Sequence, residues 1–264
     1  MSQLSIVGLG WLGEPLAHAL TAEGMLVVGS VTSEAKACRL RAQGLTVQCW
    51  QSALEQPLPA SLVAPIMILT LPPGRCPDYL AALTAILESM KRQGGQKVLF
   101  ISSTSVYGVD DLGIESRHPQ PDEARGELLL AAERLLMKSG LTHTIVRAAG
   151  LFGPGRYPGR FLAGRQTTRG GAPVNLVHQA DMLGIIRAIL AQEAWGMLFN
   201  ACAPSHPTRR AFYERACTLA GLPQPEFVDD EVAGKQIDGS LVERVLGYHY
   251  QYPDLSAALV SLLA

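Results

Sequence analysis

LSIVGLGWLGEPLAHAL, from Leu4 to Leu20, is the stretch that decides the fold. Leu4 to Val7 is a short apolar run without alternation, the pattern of a strand buried on both faces. Helical spacing takes over downstream and sets Leu12, Leu16, Ala19 and Leu20 on one face. Pro15 falls in the first turn of that helix, where its missing N–H costs little. Between strand and helix lie Gly8, Gly10 and Gly13, in the spacing GxGxxG. The first glycine permits a tight turn and the second lets backbone approach an anion. The third lets the helix pack on the strand. Backbone N–H groups and the positive end of the helix dipole converge there, so the stretch predicts a seat for a pyrophosphate.

The same alternation repeats outward. Met25 to Gly29 reads as a second strand, Glu34 to Ala42 as a helix and Leu45 to Cys49 as a third strand. Ile66 to Thr70 is a fourth, stopped by Pro72 and Pro73, after which Asp78 caps a helix carrying Leu80, Leu83, Leu87 and Met90. Lys97 to Ile101 is the fifth strand, Leu128 to Lys138 a helix ended by Gly140, and Thr144 to Val146 a sixth strand. Repeated βαβ units of this kind predict an α/β fold with a doubly wound parallel sheet, a Rossmann-type domain. Residues 150–175 are rich in Gly, Arg and Pro with little periodicity, which predicts a long functional loop. A helix over Asp181–Leu190 follows, then a strand over Leu198–Cys202 expected to rejoin the sheet. A helix over 208–220 comes next, with short helices around Leu241–Leu246 and Leu255–Leu263. The expected domains are therefore 1–150, with 176–202 returning to it, and a small, partly intercalated C-terminal substrate cap of 151–175 and 203–264.

Composition narrows the class. A chain of 264 residues buries a sizeable core without staples. Its net charge of −1 favours neither nucleic acid nor an acidic membrane as partner. Five scattered cysteines with no CxxC pair argue against a disulfide framework, and histidines without ligand spacing argue against a metal. There is no basic leader and no run near the ~20 apolar residues of a membrane helix, so a cytoplasmic location is expected.

Gly8, Gly10, Trp11, Leu12 and Gly13 form the expected phosphate turn. Cofactor choice rests on the end of the second strand, where NAD-binding chains place an acid on the ribose hydroxyls. Here the run is Gly29-Ser30-Val31-Thr32-Ser33, with no acid at the strand end. The hydroxyls of Ser30 and Thr32, with Lys36 and Arg39, suit a 2′-phosphate and favour NADP(H) over NAD(H). Glu34 pulls the other way, being close enough to serve a diol, and the two cations fit a solvated helix face equally well. Thr70, Leu71 and Pro72 follow the fourth strand and are expected to line the ribose or nicotinamide crevice.

Three further motifs come in order: SSTSVYG (Ser102–Gly108), RAAGLFGPG (Arg147–Gly155) and NLVHQADM (Asn175–Met182). With them the chain resembles the extended short-chain dehydrogenase/reductase superfamily, the NAD(P)-dependent epimerase/dehydratase group. GLGWLG, GPGRYPGRF and the late KQIDGS…LGYHYQYP are most similar to a short bacterial branch of atypical members. The resemblance implies that Ser103, with Thr104 beside it, polarises a substrate carbonyl or hydroxyl. It also implies a tyrosine and a lysine on the following helix for proton transfer. Alignment through Pro121 and Glu133 puts those two positions at about Arg125 and Leu129, and no tyrosine lies between Gly108 and Leu141. The usual pair is missing. Tyr107 is the candidate substitute, or else a residue that shapes the pocket.

Arg156, Tyr157 and Arg160, with Arg165 and Arg169 beyond, are the candidate contacts for a carboxylate or phosphate on a small-molecule substrate. A solvated basic loop is the alternative. His178 and Asp181 lie at i, i+3 at a helix entry; Asp181 reads as an acid/base, but the resemblance implies a structural Asp that ties the cap to the sheet, and helix capping predicts the same placement. Two functions follow: an enzyme acting by hydride transfer on a small anionic substrate, or a dinucleotide sensor that has lost the chemistry. By analogy with the superfamily, a homodimer is expected.

Overall fold

The computed structural model describes residues 3–51, 57–109 and 112–263. Its main sheet has seven strands: β1 (Gln3–Val7), β2 (Leu26–Val31), β3 (Thr46–Cys49), β4 (Ile66–Leu69), β5 (Lys97–Ser103), β6 (Thr142–Ala148) and β7 (Leu198–Ala201). Their order is β7-β6-β5-β4-β1-β2-β3. β1 pairs in parallel with both β2 and β4, and β2–β3 and β4–β5 are parallel as well. Strand order reverses between β1 and β4, so right-handed crossovers place helices on opposite faces to either side. The doubly wound α/β sheet expected from the apolar runs is the one observed.

Packing divides the chain into two units. The first holds the described residues up to Ser102, with Glu127–Val146 and Glu193–Leu198; the second holds Ser103–Gly126, Arg147–Gln192 and the chain from Phe199 on. In the first, α1 (Gly13–Ala22) and α2 (Glu34–Ala42) link β1, β2 and β3, and α3 (Tyr79–Arg92) links β4 to β5. Leu4, Ile6, Leu16, Leu40, Met67, Ile68 and Leu99 of this unit are wholly buried. α4 (Ala124–Lys138) begins four residues before the apolar periodicity does.

In the second unit α5 (Gln179–Ala191) and α6 (Arg209–Leu219) are the long helices. Residues 150–175 are not the irregular loop that their composition predicts. Gly150–Phe152 pairs with Leu176–His178, Gly159–Leu162 forms a helical turn, and Gln166–Thr167 pairs with Glu226–Phe227. These strands find their partners far along the chain, so no local window carried their signal. Phe152, Tyr157, Leu176, Phe212, Phe227 and Leu259 close the core beneath them.

Candidate cofactor and substrate sites

The first unit carries the glycine turn. Gly8 sits at φ +104°, open only to glycine without strain, and the Gly10 N–H folds back onto the Gly8 carbonyl at 2.7 Å. Distant residues hold the turn in place. Ser30 Oγ accepts from the Gly8 N–H at 3.1 Å, the Ser30 carbonyl from the Leu9 N–H at 2.7 Å, and Thr70 Oγ1 donates to the Gly8 carbonyl at 2.6 Å. A Cβ at Gly13 would lie 2.3 Å from the Gly8 oxygen, whereas one at Gly10 would meet nothing within 4 Å. The third glycine therefore packs helix on strand, and the second leaves open space over the backbone. α1 starts at Gly13, and Leu12 before it makes no side-chain cap, while Ser33, Asp78, His178 and Thr208 cap α2, α3, α5 and α6. In the first turn of α1 the Glu14 N–H donates to the Gly10 carbonyl at 3.1 Å and Pro15 has no N–H, so what this helix end offers an anion is chiefly its positive potential.

The charges near the turn pair in a way the sequence did not disclose. Lys36 Nζ donates to the Leu9 carbonyl at 2.6 Å and lies 3.0 Å from Glu14. Arg39 grips Glu14 in a fork, at 2.9 and 3.0 Å, and together with Lys36 holds that carboxyl below its usual range. Glu34, the acid close enough in sequence to serve a diol, turns instead to Arg41, which keeps its carboxyl low. Trp11 is half-buried and Leu12 buried, and Thr32 is exposed past the end of β2. Leu71 is half-buried, its carbonyl accepting from Tyr79, and Pro72 is exposed.

At the end of β5, Ser102 turns inward and donates to buried Glu133 of α4 at 2.6 Å. Arg125, at the expected tyrosine position, is exposed, and Leu129, at the lysine position, is buried. Ser103 opens the second unit. Its Oγ accepts from the Ser105 N–H at 3.2 Å, which leaves its own proton to donate. Thr104 is buried, 5% exposed.

Tyr107 is 1% exposed. Its hydroxyl donates to Asn200 Oδ1 at 3.0 Å and accepts from Arg147 at 2.8 Å, and the guanidinium also stacks over its ring. Burial pushes the phenol up and Arg147 pulls it back. Asn200 completes the network through Gly113, Asp238 and Glu115, and Lys235 Nζ donates to the Tyr107 carbonyl at 2.8 Å. The motif containing Arg147 was visible in the sequence, and Lys235 opens the KQIDGS stretch without a role having been read for it, but Asn200 and Glu115 carry no local signal.

The arginines of the 150–175 segment differ in their surroundings. Arg156 and Arg160 are exposed, while Arg169, at φ +58°, lies 3.8 Å from Glu231. Tyr157 is a core residue, its hydroxyl donating to the Ala216 carbonyl at 3.0 Å. Asp181 accepts from Tyr248 Oη and from the Gln251 and Tyr252 N–H groups, so it ties the C-terminal segment to α5. His178 caps the same helix through Nδ1. Among the described residues no group of three His, Cys, Asp or Glu could hold a metal ion, and no helix is long and apolar enough to cross a membrane.

An open glycine turn on the strand beside the reversal of strand order defines the Rossmann class of doubly wound proteins. Within that class, the chain belongs to the NAD-dependent epimerase/dehydratase family, whose model matches residues 78–182. Protein YeeZ of Escherichia coli K12 is 38% identical over 267 residues, covering 96% of this chain and 97% of the relative. The fold is shared by a conserved protein of unknown function from Silicibacter pomeroyi DSS, with a TM-score of 0.82, 24% identity and coverage of 100% and 98% of the two chains. It is also shared by UDP-glucuronic acid 4-epimerase from Bacillus cereus in complex with NAD, with a TM-score of 0.81, 18% identity and coverage of 98% and 95%.

Proposed function

We propose that this chain is an NADP(H)-preferring oxidoreductase of the epimerase/dehydratase type, acting on a small substrate that bears a carboxylate or phosphate. The open glycine turn carries the proposal: Gly10 leaves room for a diphosphate, and the end of α1, without a side-chain cap, brings positive potential to it. Two cations, Lys36 and Arg39, face one carboxylate, Glu14, beside that turn. The excess positive charge suits a 2′-phosphate, and Glu34 is committed to Arg41 on another flank. Thr70 and Ser30 keep the turn in shape, and the backbone at Leu71 and Pro72 would meet the ribose.

A bound nicotinamide supplies the hydride donor or acceptor. The chain's part is to orient the substrate and manage its proton. Ser103 donates its hydroxyl proton to the substrate oxygen, because its lone pairs already hold the Ser105 N–H. Tyr107 is bound at both sides by Arg147 and Asn200, so its role is to fix the Ser103–Tyr107 turn, while water exchanges the proton. Arg156 and Arg160 supply exposed guanidinium groups for an anionic substrate.

The second reading, a sensor that binds the dinucleotide without turning it over, is favoured by the exposed Arg125 and buried Leu129 at the missing pair. NADPH fluorescence titration tests the shared part. Lys36→Ala should weaken NADPH about tenfold and NADH little, the difference of one charge-assisted contact. Oxidation of NADPH with a panel of anionic carbonyl compounds separates the two readings. Turnover that Ser103→Ala lowers at least a hundredfold supports the enzyme, and binding without turnover supports the sensor.

A further inference from the structure

We propose that Cys38 and Cys49 form a thiol-oxidation site, in which a hydroperoxide closes an intramolecular disulfide strapping α2 to the end of β3. The proposal stands apart from the nucleotide site. β3 is the edge of the main sheet, and α2, which precedes it, packs against it. Glu34, Cys38 and Arg41 follow one another at i, i+4 and i+7 and share one flank of α2. Arg41 Nε donates to the Val47 carbonyl of β3 at 2.9 Å, so that flank overhangs the edge strand. Cys49 lies two residues beyond Val47 and hence on the same sheet face, opposite Val31 in register. Because α2 and β3 run in opposite directions, Cys49 comes level with the first turns of α2.

The side chains meet there. Cys38 Sγ donates to Glu34 Oε1 at 3.7 Å, and the Cys49 thiol lies against the same carboxylate. Both cysteines are exposed, and Arg41, ion-paired to Glu34, stands within electrostatic reach of both sulfurs. Cys202 and Cys217, by contrast, are wholly buried. Exchanging the shared carboxylate for a direct S–S bond needs rotation of two exposed side chains and a Cα separation of about 4.4–6.8 Å.

The chemistry balances without help from the nucleotide. One thiolate attacks the peroxide O–O bond, becoming a sulfenic acid and releasing hydroxide, or an alkoxide from an organic peroxide. The second thiol attacks that sulfur, the S–S bond forms and water leaves. Two electrons pass from the sulfur pair to the peroxide.

Hydrogen peroxide treatment, alkylation and mass spectrometry of unreduced peptic peptides test the site on the whole chain. The expected result is a Cys38–Cys49 cross-link released by dithiothreitol, with Tm raised by several degrees, roughly what closing a short loop contributes. Cys38→Ser and Cys49→Ser should each abolish both effects; as exposed positions they leave the fold intact. Full alkylation of both thiols after peroxide, or separate sulfinic acids without a cross-link, would overturn the proposal.

Discussion

At the scale of single residues, Gly13 is the most demanding position in the glycine turn. Alanine there would drive its Cβ to 2.3 Å from the Gly8 carbonyl oxygen, a backbone atom that cannot swing away. Gly13→Ala should therefore cost about 1–3 kcal/mol of stability and weaken dinucleotide binding at least tenfold, seen by urea unfolding and NADPH titration. His178 makes a second prediction. It is 4% exposed, stacked on Tyr252 with ring centroids 3.8 Å apart, and burial pulls its pKa down to about 4. The unfolded imidazole, near 6.5, takes up a proton that the folded one refuses, so stability is complete above pH 6.5 and falls as pH drops toward 4. The loss should be on the order of 3 kcal/mol. His178→Asn keeps an acceptor for the Ala180 N–H and should flatten the profile, as followed by urea titration across that window. The glycines were legible in the sequence because turn chemistry is local. The desolvation of His178 was not, since Phe152 and Tyr252 reach it from other parts of the chain.

At the scale of elements, the first turn of a helix shows what the rest of the chain asks of it. α5 starts at the His178 cap and carries Asp181 in its first turn, where the carboxylate receives one hydroxyl and two backbone donors from residues 248–252. Asp181→Ala strands all three donors. It should cost about 3 kcal/mol and lower Tm by roughly 6–12 °C, read by scanning calorimetry, with NADPH affinity little changed because α1 is untouched. The expectation that Asp181 is structural rather than catalytic came from resemblance, and these contacts give it a physical cause. α4 shows the opposite limit. Its amphipathic pattern is plain in the sequence, yet the use made of Glu133, an acceptor for the Ser102 hydroxyl, depends on β5 lying alongside.

At the scale of the whole molecule, a dinucleotide that binds only the folded chain stabilises it by mass action. NADPH at about a hundredfold over its Kd should add about 2.7 kcal/mol, a Tm rise of some 5–10 °C in a thermal-shift scan. NADH at the same concentration should give less, since the Lys36–Arg39 pair has no phosphate to meet. Reading the residues in order was enough for the alternation of strands and helices, the doubly wound class and the position of the glycine turn, because periodicity and glycine spacing act over a few residues. Tertiary structure alone decided which charge meets which: Glu14 with Lys36 and Arg39, Glu34 with Arg41, Tyr107 with Arg147 and Asn200. It also decided that residues 150–175 are ordered by strands and core, not left as a loop. Those pairings join positions from seven to more than ninety residues apart, and the order in which strands assemble brings the distant ones together, which no local window of residues encodes.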